Sequence, residues 1–93
     1  MLRYMLVSVI ERDILIPEWF ETYEEAYNKM KAEFAEMLGW EEEEIEENLE
    51  EYSDDINLTE NCAWCERYGN NGDWKIFYLE DGGYWDIYTS GTA

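Results

Sequence analysis

The chain contains no histidine, a single proline and two cysteines, and only six of its 93 residues are basic. Without histidine it lacks the usual general base and the usual pH switch near neutrality. Six bases stand against 24 acids, a net charge of −18. Direct binding to nucleic acid is excluded on that balance, because phosphate contacts need Lys and Arg. Anionic membrane surfaces are excluded for the same reason. No run approaches the roughly 20 apolar residues of a membrane span. The N-terminal apolar stretch meets Glu11, Arg12 and Asp13 before a secretory h-region can form. The expected location is therefore the cytoplasm, where Cys62 and Cys65 would be reduced thiols or metal ligands.

What is present argues for a folded protein. Apolar residues make up 46% of the chain and aromatics 17%, whereas disordered acidic chains are poor in aromatics. The length fits one domain, residues 1–93, with a modest core to which large aromatics add buried area.

Residues 2–10 place Leu2, Tyr4 and Leu6 on one side and Met5, Val7 and Val9 on the other. That pattern predicts a strand with both faces at least partly buried. Ile14, Leu15 and Ile16 predict a short second strand ended by Pro17. Thr22 and Glu25 form a capping-box signature. The helix they open carries Tyr23, Tyr27, Met30, Phe34 and Met37/Leu38 as one apolar stripe, and Gly39 closes it. Ile45, Leu49, Tyr52 and Ile56 recur at spacings of 4, 3 and 4 and predict a second helix. Segments 62–68, 74–80 and 84–89 read as a β-meander. Its turns are expected at residues 69–73 and 81–83. The expected fold is α+β: a small two-layer domain, an antiparallel sheet with one or two helices on one face, in the order β-(β)-α-α-β-β-β.

The densest feature is the run EEEEIEENLEEYSDD at residues 41–55, ten carboxylates in fifteen positions. No basic residue occurs from Ala32 to Cys65. As a helix the run would span about 22 Å, roughly one charge per 2 Å. Duplex DNA carries about one per 1.7 Å. A groove lined with Lys and Arg would meet a complementary surface, steered at long range and sensitive to salt. The candidate partner-binding residues are Glu41, Glu42, Glu43, Glu44, Glu46, Glu47, Glu50, Glu51, Asp54 and Asp55, with Trp40 and Tyr52 as candidate anchors. The competing reading is a solvated face that serves solubility alone.

Cys62 and Cys65 form one C-x-x-C pair, half of a zinc site. Completing it requires carboxylates such as Glu60, Glu66 or Asp73, or a second chain. It also requires a turn at 62–65, since positions i and i+3 of a strand face opposite ways. The spacing of Asp55, Asn57, Thr59 and Glu66 matches an EF-hand loop, but Glu60 stands where that loop needs Gly. No phosphate-binding glycine loop, nucleophile elbow or metalloprotease motif appears, so no enzymatic activity is expected.

In size and composition the chain resembles the small acidic anti-defence proteins of phages and mobile elements, of the anti-CRISPR or DNA-mimic type. The resemblance rests on the ten carboxylates of the run in an α+β chain of this size. It implies stoichiometric inhibition of a nucleic-acid-targeting enzyme, with a CRISPR effector nuclease favoured because its channels are strongly basic. The alternative is a small zinc-stabilised structural or regulatory module whose acidity gives only solubility.

Overall fold

The computed structural model describes residues 3–67, 69–80 and 83–86. The alternating apolar residues near the N-terminus form β1 (Tyr4–Ile10), which buries Leu6 and Ser8 on one face. The chain then reverses through Glu11 and Arg12, both left-handed at φ 51° and 71°. Val9 pairs with Ile14 and Ile10 with Asp13, so these residues are the centre of a two-residue hairpin turn. Strands β2 (Asp13–Ile14) and β3 (Glu18–Phe20) both lie along β1. Between them the register slips by one residue, from Val9↔Ile14 to Leu6↔Glu18. Residues 15–17 are therefore a bulge, and Pro17, which has no N–H to donate, sits in it. The second strand is thus shorter than the sequence suggested, and a further strand follows the proline.

Helix α1 (Tyr23–Leu38) follows its signals closely. The Thr22 hydroxyl oxygen accepts the Glu25 backbone N–H at 3.2 Å. Gly39, at φ 73°, closes the helix: its N–H donates to Glu36 O and that of Trp40 to Ala35 O, a Schellman motif. Ala26, Met30, Phe34, Ala35 and Leu38 are its buried face.

The second helix departs from expectation. α2 (Glu42–Glu51) has ten residues and closes at Tyr52. Asp55 N–H and Ile56 N–H both bond back to Tyr52 O, and Ile56 opens β4 (Ile56–Leu58). The 4-3-4 spacing placed Ile56 on the helix stripe. Ser53, Asp54 and Asp55 instead favour a turn, and Ile56 reaches the same core from a strand.

Strands β5 (Cys62–Arg67), β6 (Asn70–Glu80) and β7 (Gly83–Asp86) complete the antiparallel sheet. The order is β2-β1-β6-β5-β4. The C-terminal strands are not a simple meander. Phe77 and Tyr78 pair with Met5 and Tyr4 of β1 on one edge and with Asp86 and Trp85 of β7 on the other. β7 therefore extends the line of β5, and β1 takes the second edge of β6. The expected turn at 69–73 is also displaced: Arg67 already pairs with Asn70, and Asn71, Gly72 and Asp73 are strand. The turn at Asp81 and Gly82, and residues 87–89 of the last expected strand, lie outside the described residues, as does Leu2.

Both helices cover one face. Met30 and Phe34 share a core with Leu6, Ala63, Cys65, Trp74 and Ile76, joined by Ile45 of α2 and Ile56 of β4.

Candidate partner-binding surface

Seven of the ten residues of α2 are glutamate, and all seven are exposed. Ile45 is fully buried and Leu49 half-buried, so one apolar stripe holds the helix to the core and the other faces carry carboxylate. Glu41 and Glu44 form a reciprocal capping box, in which Glu41 N–H donates to Glu44 Oε1 at 3.2 Å. Acids in this first turn also favour the positive end of the helix dipole. Farther along, Glu42/Glu46, Glu43/Glu47, Glu46/Glu50 and Glu47/Glu51 are like charges one turn apart. They oppose the helix by about 0.2–0.5 kcal/mol each.

The ten acids of the run do not lie on one continuous helix. Glu41 caps it, Asp54 is exposed in the turn beyond it, and Asp55 is half-buried. Asp55 is engaged within the molecule: its carboxylate pairs with Arg67 at 3.5 Å. The Arg67 guanidinium lies 3.7 Å from the centroid of the Tyr52 ring, and Tyr52 stacks on Trp40 at 5.9 Å. Trp40, Tyr52 and Arg67 thus form a half-buried stack that fastens both ends of α2 to the sheet. These contacts give Trp40 and Tyr52 a structural use as well as an exposed edge.

Trp40 also lines an open groove of about 310 Å³ between the helices, with Ala32, Ala35, Glu36, Glu41, Glu42 and Glu43. A second hollow, of about 450 Å³, is bordered by Lys31, Glu42, Glu43 and Glu46. Glu36 was not among the sequence candidates. Its position on the outer face of α1 follows from the same 3.6-residue period that placed Met30 and Phe34 inside.

The cysteines are not brought together. Both lie in the regular strand β5, on opposite faces. Cys65 is buried beneath α1 with its Sγ 3.3 Å from Met37 Sδ. Burial pushes its thiol up to about 11, and the Asp73 and Glu11 carboxylates add to that against a hydrogen bond from the Gly72 backbone. Cys62 is half-buried on the other face, with Sγ 3.1 Å from the Thr59 hydroxyl. Among the described residues no three His, Cys, Asp or Glu side chains converge on a metal position. The EF-hand spacing falls on the β4–β5 hairpin instead. There Asp55 turns to Arg67, while Thr59 bonds to Asn61 and Cys62 in the loop.

Among the described residues no helix is long and apolar enough to cross a membrane. Comparison with protein families, curated proteins and solved structures returns no match for this chain.

Proposed function

We propose that this chain is a cytoplasmic, stoichiometric inhibitor of a nucleic-acid-targeting enzyme. Its α2 surface would occupy a basic groove through which DNA or RNA must pass. A CRISPR effector nuclease is the favoured target class, since its heteroduplex channel is strongly basic. The observation that supports this reading is the exposed carboxylate array of α2. Seven acids on ten residues stand on a helix about 15 Å long, roughly one per 2 Å, close to the charge spacing of a duplex. The array is carried on a packed frame, so little ordering would be needed on binding. No catalytic group is invoked; inhibition follows from occupancy.

The test replaces Glu42, Glu43, Glu46 and Glu47 with Gln and leaves the capping pair Glu41 and Glu44 intact. Wild type and variant are offered to purified CRISPR effectors and other nucleic-acid enzymes at two salt concentrations. Salt-sensitive capture by wild type, displaced by the enzyme's own nucleic acid and weakened about tenfold or more in the variant, is the expected result. Capture that survives neutralisation at physiological salt would sink the decoy reading.

A further inference from the structure

Residues 40–55 are held to the rest of the molecule at few points. α1 buries five of its sixteen residues, whereas α2 buries Ile45 alone of ten, with Leu49 half-buried beside it. A helix of that length falls below the roughly 12–15 residues needed for stability on its own. Its like charges one turn apart oppose it further. Firm points bound the segment on both sides. Gly39 closes α1 before it, and Ile56, 1% exposed, fixes the chain in β4 after it.

A single residue of β5 reaches both ends of the segment. By strand alternation Arg67 stands on the helix side of the sheet with Ala63 and Cys65. Its side chain is 12% exposed and lies 3.5 Å from the Asp55 carboxylate. Its guanidinium is 3.7 Å from the centroid of the Tyr52 ring. Tyr52 ends α2, Trp40 precedes it, and the two rings stack at 5.9 Å. Arg67 therefore touches the exit of the segment directly and its entry through Tyr52. Its strand partner Asn70 serves the other helix, with Nδ2 donating to Met37 O at 3.3 Å. A cation on an aromatic ring counts for more when sheltered from water. A planar guanidinium also stacks where an ammonium cannot.

From this geometry we infer that Arg67 is the positioning residue of the acidic surface. It latches residues 40–55, which open as a unit when the latch is lost while α1 and the sheet stay folded. Opening of this kind is drawn from the least buried part of a fold. An open α2 loses the Ile45 contact, and its carboxylates are no longer held in one array. The functional consequence rests on the reading of α2 as the partner-binding surface: apparent affinity falls with the fraction of molecules that are closed. The opening itself belongs to the chain alone.

Native-state hydrogen exchange of the full chain, followed by NMR, tests this with wild type, Arg67→Met and Arg67→Lys. The reporters are the amides of residues 46–52, the last of which donates to Asn48 O at 3.0 Å. The controls are the amides of Met30 and Phe34 in α1 and Ile76 in β6. In wild type the reporters exchange faster than the controls. Arg67→Met speeds the reporters about tenfold or more and the controls less than about threefold. Arg67→Lys keeps a charge near Asp55 without the stacked plane, and its reporters fall between those of wild type and Arg67→Met. Reporters and controls that accelerate by the same factor overturn the inference, since Arg67 then serves the whole fold. Reporters that do not accelerate overturn it as well. No partner enters the measurement, so its failure is separate from a failure of the inhibitor reading.

Discussion

Trp74 and Gly72 illustrate how single residues are used here. The Trp74 indole is 2% exposed, meets Phe34 edge-on at 5.9 Å, and donates its N–H to Glu33 Oε1 at 3.0 Å. It folds over Gly72, where a Cβ would stand 2.6 Å from its ring and 2.8 Å from Met37 Sδ. Asn71-Gly72 has the composition of a hairpin turn, yet Gly72 is needed for close packing within a strand. Gly72→Ala is expected to destabilise the fold by about 2–3 kcal/mol through overpacking, measured by urea unfolding. Unchanged stability would mean that the indole is free to move. Cys65 supplies a second expectation. Its thiol has an ordinary value of 9.0, raised in the fold to about 11. Above pH 9.0 the unfolded chain releases a proton that the folded chain keeps. This contribution is fully present below that pH and is lost as pH rises toward 11. Unfolding midpoints of wild type and Cys65→Ala across that range would diverge if the thiol is responsible and run parallel if it is not.

Elements differ in how well their own residues specify them. α1 carries a capping box, a continuous stripe and a closing glycine, all pointing to one answer. α2 has a cap and one stripe opposed by like charges, so tertiary packing of Ile45 holds it in place. Replacing Glu47 by Lys would convert its repulsions with Glu43 and Glu51 into attractions. The variant should be more stable by about 1 kcal/mol in urea unfolding and a poorer ligand for the proposed basic groove. A loss of stability would show that the carboxylate takes part in a favourable contact. The β1–β2 turn lies at the other extreme. Glu11 and Arg12 adopt positive φ without glycine or asparagine to announce it. The Glu11 carboxylate accepts the Asn71 backbone N–H at 3.2 Å and its own N–H donates to Asn71 O. Contacts remote in sequence thus hold this turn.

At the scale of the whole molecule, 24 acids face six bases. Among the described residues Lys29 pairs with Glu33 and Arg67 with Asp55, but with four acids for every base most carboxylates have no base to pair with, and repulsion outweighs pairing. Screening should therefore stabilise the fold. Raising sodium chloride from about 20 mM to about 500 mM is expected to lift the melting temperature by roughly 5 °C, equivalent to about 1 kcal/mol for a domain of this size. A melting temperature that falls with salt would mean that attractive pairs dominate. The distribution of surface matters as much as the total: acidic residues gather over the helix layer, where all seven glutamates of α2 are exposed.

The sequence by itself determined the fold class, the course of α1, the apolar β1 strand and the acidic character of the second helix. Those follow from local periodicity and capping, which act within a few residues. It also held the condition on which the cysteine pair depends: a regular strand turns Cys62 and Cys65 apart. Only the tertiary structure decided where α2 ends, because Ile56 satisfies the same core from a helix or a strand. Tertiary pairing likewise set β1 rather than β7 against the free edge of β6, moved Asn71-Gly72 from turn to strand, and turned Asp55 inward to Arg67. Each of these choices depends on a neighbour distant in the chain, and short-range pattern carries no information about such neighbours.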